Sequence, residues 1–91
     1  MAHFANIINN TVVKVIVIEN YCAPTEEDGK AFIASIGLSG EWVQCSYNTY
    51  RDADGVPQHS NGGTPLRGQY PSIGDRYDAI NNEFVTPTNP E

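Results

Sequence analysis

The sequence predicts a small α+β domain: a mainly antiparallel sheet with one helix packed on it. Three observations carry this. Asn-Asn turn signals stand near both ends of the chain, one well-capped helical stripe lies between them, and strand-type alternation follows the helix.

Residues 2–8 and 11–19 flank Asn9-Asn10. Asparagine tolerates the left-handed backbone that a two-residue hairpin turn demands, so this pair predicts an antiparallel hairpin. In its second strand, six of the seven side chains from Val12 to Ile18 are apolar and β-branched. Such a run predicts a strand covered on both faces. Lys14, the strand's single charge before Glu19, reads as a solvated side chain or as an edge guard against further pairing.

A helix is predicted over roughly 25–37. Thr25 is its N-cap, Asp28 sits at the capping-box position, and Glu26, Glu27 and Asp28 complement the positive end of the dipole. Phe32, Ile33 and Ile36 recur on one face, Glu26 can pair with Lys30, and Gly37 supplies the stop. Gly29 lowers helix propensity by about 1 kcal/mol relative to Ala, so the helix must rely on docking its stripe against the sheet.

Residues 41–47 alternate with period two, which puts Val43, Cys45 and Tyr47 on one face and Trp42, Gln44 and Ser46 on the other. If the first face is core, Trp42 points outward as a contact anchor; at the strand's start it can equally fold back over the helix end. From 48 to 71 the chain offers no apolar periodicity and reads as one long loop. Loops beyond about 12–15 residues are usually functional or disordered, and this one carries Tyr50, Arg51, Leu66, Arg67 and Tyr70, residue types that make contacts. Arg76-Tyr77-Asp78 and Phe84-Val85-Thr86 then bracket Ile80-Asn81-Asn82 as a second hairpin before a proline-rich tail, 87–91.

With 91 residues the chain makes one domain. A chain of this size buries only about 60–65% of its unfolded surface, so cover from a neighbour is expected. Eleven acidic against five basic residues give a net charge of −6, which argues against a nucleic-acid surface. The opening Met1–Asn6 has no basic n-region, and the apolar run after it is too short for a signal segment or a membrane span, so synthesis in a cytoplasm and no membrane partner are expected. Cys22 and Cys45 are too few for a metal knuckle and read as free thiols, with a disulfide between them left open.

Catalytic and metal motifs are weak. Asp52-Ala53-Asp54-Gly55 resembles the start of a calcium loop, but the twelfth position falls on Gly63, where that design requires Glu, so an acidic turn is expected. His3 and His59 stand in no metal-type spacing, and Cys45 with His59 is the one cysteine–histidine pairing worth naming as a nucleophile and base. Gly62-Gly63-Thr64 lacks the Lys-Ser/Thr end and following helix of a phosphate loop and reads as a bend. No cofactor, no metal and no enzymatic activity are expected.

Several segments together resemble a group of short tailed-bacteriophage proteins best known from phages of cyanobacteria. They are Met1-Ala2-His3-Phe4-Ala5 with Val15–Ile18, Ala31–Leu38, Trp42-Val43-Gln44-Cys45-Ser46-Tyr47-Asn48, and Gly63–Tyr70 continuing through Ile73–Asp78 to Phe84. Two departures appear: Cys45 stands where similar proteins carry a small polar residue, and Asp75-Arg76 replaces an aromatic-containing pair. The resemblance implies a virion-associated structural protein without catalytic residues. The leading expectation is a capsid decoration or cement protein contacting major capsid subunits through Trp42, Tyr47, Tyr50, Arg51, Leu66, Arg67 and Tyr70. The runner-up is a tail, baseplate or fibre-associated module. From another class comes a non-virion regulator that binds a host protein, and self-association stays open beside all three.

Overall fold

The computed structural model describes residues 2–87. Residues 88–91, most of the expected proline-rich tail, lie outside the described residues. The architecture is α+β: strands β1 (Ala2–Ile8) and β2 (Thr11–Ile18), helix α1 (Glu26–Ser35), then strands β3 (Glu41–Cys45), β4 (Thr49–Arg51), β5 (Pro57–His59), β6 (Arg76–Asp78) and β7 (Glu83–Val85). Five strands form one sheet in the order β3-β1-β2-β6-β7, and β4-β5 form a second, smaller one. Every pairing is antiparallel.

The first hairpin turns where the sequence predicts, with Asn9 at φ 52° and Asn10 at φ 60°, the left-handed pair of a type I′ turn. The register shifts beyond it, because Ile7 faces Val12 while Asn6 faces Lys14, so Val13 has no partner across the ladder. This bulge decides the core. Without it, Val12 would share a face with Lys14, Ile16 and Ile18; with it, Val12 turns to the opposite face and is fully buried.

Each face of the sheet therefore has its own core. On one, Ala2, Phe4, Ile18 and Trp42 pack with Ile33 of α1. On the other, Ala5, Ile7, Val12, Val43 and Cys45 pack with Tyr77 and Phe84 of the second hairpin, and Tyr70 and Val15 lean on them. The cover that the apolar run of β2 demands comes in large part from the chain's own C-terminal half.

α1 begins as its sequence signals: Asp28 N–H donates to Thr25 Oγ1 at 3.1 Å. It ends in a Schellman arrangement, Leu38 N–H donating to Ile33 C=O and Gly37 N–H to Ala34 C=O, with Gly37 at φ 90°. Ile33 is fully buried, but Ile36, expected on the docking stripe, is 54% exposed because the helix terminates there and the chain turns away. Gly29 serves packing as well as costing propensity: a Cβ there would sit 2.8 Å from Phe4 Cε1, so Gly29 is where the helix backbone closes onto the sheet.

Two further expectations meet the structure. Of the two readings open for Trp42 the structure takes the second and removes it from the expected contact residues: Trp42 is 6% exposed in the helix-side core and its Nε1–H donates to Ser39 C=O at 3.2 Å. The helix fills the face that simple alternation assigned to solvent, and the indole completes that filling. Residues 48–71 are not one loop but hold the β4-β5 hairpin and a 3-10 turn at Ser60–Gly62. The hairpin has no apolar periodicity because its buried anchor is polar: Thr49, 1% exposed, accepts a bond from Leu66 N–H, shares one with His59 Nδ1 at 2.8 Å, and its carbonyl accepts Tyr70 N–H.

Candidate functional site

Two arginines expected at a partner surface are anchored inside the chain. Arg67, held at φ 54°, donates through Nη1 to Gln44 C=O at 2.9 Å, through Nη2 to Glu26 at 3.0 Å, and through Nε to Asn82 at 2.9 Å. Glu26 in turn accepts Gln44 N–H at 2.9 Å, so it does not make the expected pair with Lys30, which instead meets Glu27 at 3.6 Å. Gln44 lies on β3, an outer strand of the sheet, and its outward N–H and C=O are thus both capped by side chains.

The other outer strand, β7, is capped by the same segment. Phe84 N–H donates to Arg67 C=O at 2.8 Å, while Arg51 Nη2 donates to Phe84 C=O at 3.0 Å and to Glu83 at 3.2 Å. Arg51 also holds Gln69 and Gly55 C=O. One residue, Arg67, therefore ties the two outer strands together across the second core. Gly68 beside it stands at φ 85° and leaves no room for a Cβ, which would lie 2.6 Å from Arg51 Nη2. Glu26, Gln69 and Glu83 are the partners that sequence reasoning missed, since nothing in their spacing marks a contact across the sheet.

The remaining expected contact residues divide by exposure. Leu66 and Tyr70 are half-buried. Tyr47, expected on the core face, is 66% exposed because β3 stops at Cys45 and the chain turns at once, Thr49 N–H donating to Ser46 C=O. Its ring forms a cluster with His3 at 5.2 Å and Tyr70 at 6.5 Å, and His3 meets Tyr70 edge-on at 5.7 Å. Tyr50 is 52% exposed on β4. Burial holds His3 below its ordinary pKa and Tyr70 above its own, so both rings are neutral near pH 7.

No match to the chain is found among protein-family models, curated proteins or solved structures.

The candidate nucleophile does not have a nucleophile's surroundings. Burial pushes the Cys45 thiol up to about 12, against an opposing pull from Arg67, so its thiolate is scarce at neutral pH. His59 bonds to Thr49. Cys22 and Cys45 are free thiols. The acidic turn is a turn: the Asp52 carboxylate accepts Val56 N–H, Asp54 N–H and the Gln58 amide, and the backbone bond from Val56 leads in holding its pKa down. Among the described residues no group of three acidic, His or Cys side chains converges as a metal site. A shallow open groove of about 310 Å³ between α1 and the start of β3 is lined by Lys30, Leu38, Glu41 and Trp42.

Proposed function

We propose that this chain is a non-enzymatic structural protein of a tailed-phage virion, acting as a capsid decoration or cement protein on the major capsid subunits. The observation that carries the reading is the aromatic cluster in which the exposed ring of Tyr47 packs on half-buried His3 and Tyr70. Its rings stand on the end of a double-cored sheet, so they are presented at little further entropic cost, and amphipathic rings of this kind are the usual anchors of protein interfaces. The resemblance to short phage proteins supports the same class, and the net charge of −6 would keep free copies apart before assembly. The arginines and Trp42 contribute by holding the domain rigid, leaving Tyr47 and Tyr50 as the leading contact residues with Tyr70 behind them.

The test is mass spectrometry of gradient-purified virions followed by separation of tails from heads. Retention of the 10.0 kDa protein with heads, and its loss on Tyr47→Ala with the fold intact, is the expected result. Recovery only with tails would assign it to a tail, baseplate or fibre position. Complete absence from virions would favour a regulator that binds a host protein.

A further inference from the structure

The outer strands of the five-stranded sheet are capped at Gln44 and at Phe84, yet one inner strand has a bare flank. β2 meets β6 at a single register pair, Thr11 with Arg76, and the outward groups of Val12 are taken by Asp75 C=O and Gly74 N–H. Beyond that point β2 continues to Ile18, and among the described residues no backbone or side chain bonds to its outer flank. Which groups face outward follows from the ladder. Ile8 and Thr11 close the turn as a hydrogen-bonded pair, so bonded and non-bonded pairs alternate away from it. Val15 and Val17, opposite Ala5 and His3, fall on non-bonded positions and aim N–H and C=O away from β1. The flank is apolar as well: Val17 is 48% exposed and Val13 38%.

We propose that this flank is a self-association surface, on which β2 of a second copy adds as an antiparallel strand and makes a two-fold dimer. Three features select a second copy. First, residues Ala5–Ile18 contain no acidic side chain in a chain of net charge −6, so this strip lacks the repulsion found elsewhere on the surface. Second, the flank is self-complementary in hydrogen bonding. A two-fold axis at Ile16 sets Val15 opposite Val17 of the second copy, and each pair exchanges N–H and C=O, twice by symmetry.

Third, the charges on the flank favour one direction of pairing. Lys14 stands at one end and Glu19 at the other, both exposed and neither in an ion pair among the described residues. Antiparallel pairing about Ile16 brings Lys14 of each copy opposite Ile18 of the other and keeps the two lysines and the two Glu19 carboxylates apart, whereas in-register parallel pairing would set Lys14 against Lys14 and Glu19 against Glu19. Lys14 then selects the direction of pairing as well as discouraging indiscriminate strand addition. The proposal does not rest on a virion role.

The test is sedimentation of the full chain over a concentration series, with hydrogen exchange read at Val15 and Val17. The expected result is a concentration-dependent dimer in which those two amides become protected. Val17→Glu should abolish the dimer while leaving the circular dichroism unchanged. Should that variant fail to fold, charge swaps decide: Lys14→Glu alone should weaken the dimer about tenfold, and Lys14→Glu with Glu19→Lys should restore it. A wild-type chain that stays monomeric at millimolar concentration overturns the proposal. So does a dimer unmoved by these variants, or protection of Val15 and Val17 that appears only when a different protein is added.

Discussion

Arg67→Ala tests whether one side chain holds outer strand β3 to α1 and to the turn that leads into β7, the backbone bond from Phe84 N–H to Arg67 C=O being kept in the variant. The variant loses bonds to Gln44 C=O, Glu26 and Asn82, and leaves the Glu26 carboxylate half-facing the sheet without its cation. Breaking a fully buried ion pair costs about 3–5 kcal/mol and an exposed one about 0–1 kcal/mol. Side-chain exposures of 13% for Arg67 and 26% for Glu26 place this pair nearer the buried limit. The expected loss is about 2–4 kcal/mol, a large share of the roughly 5–10 kcal/mol that a domain of this size has. Since about 1 kcal/mol moves the midpoint of a small domain by about 4–8 °C, thermal unfolding followed by circular dichroism should shift down by at least about 8 °C. The left-handed backbone at this position does not confound the comparison, because alanine carries the same Cβ strain as arginine. A double-mutant cycle with Glu26→Gln should give a coupling above about 1 kcal/mol. A midpoint within about 3 °C of the parent, or strictly additive singles, would show that β3 is held to its neighbours by other means.

Gly29→Ala should destabilise by up to about 2 kcal/mol in urea melts, since overpacking against Phe4 (about 1–3 kcal/mol) opposes the roughly 1 kcal/mol of helix propensity gained; a stabilised variant would mean that α1 can lift off the sheet at no cost. Cys45 should resist thiol reagents in the folded chain at pH 8 while half-buried Cys22 reacts faster, measured by mass spectrometry of the labelled chain. Because the folded thiol keeps its proton up to about 12 while the unfolded thiol ionises near 9.0, the folded state binds more protons in that window. Stability should therefore fall as pH rises through it, by up to about 1.4 kcal/mol per pH unit, and Cys45→Ala should flatten that slope. Asp52→Asn should raise the exchange rate of the Val56 amide. The depressed carboxyl pKa means that the wild-type contribution is present above the ordinary Asp range and is lost as pH falls through the folded value, so the two proteins should converge in acid.

The local elements were legible because their signals are local. Asn9-Asn10 specifies its turn by backbone preference alone, and Thr25 with Asp28 specifies the start of α1 within four residues. What escaped the sequence was everything decided across the sheet. The bulge at Val13 leaves no mark in composition, yet it determines which face receives Val12. The β4-β5 hairpin hides because Thr49 and His59, rather than alternating apolar residues, hold it. Arg51 and Arg67 have the composition of interface arginines, and only the fold reveals that Phe84 C=O and Gln44 C=O lie within their reach. Of the expected contact residues, the tyrosines at 47 and 50 stand at the surface and Trp42 does not, because a helix covers one face and leaves the turn after β3 open.

These placements change what a partner would contribute. A strand as apolar as β2 invites the idea that the sheet waits for a neighbour to cover it. Instead, Tyr77 and Phe84 close the second core from within, their rings 5.3 Å apart, and Arg67 ties that cover to both outer strands. The apolar surface left on β2 is confined to the stretch where β6 is too short to reach, and there the deficit is in backbone pairing as much as in burial. Hydrophobic burial is non-directional, whereas a row of outward N–H and C=O groups accepts only an extended strand in register. Association at this flank, as proposed, would join domains that are already folded, and its specificity would come from the ladder and from the separation of like charges at its ends. The aromatic cluster at the end of the sheet stays available for a different surface, so one small chain can present two separate contacts without unfolding either core.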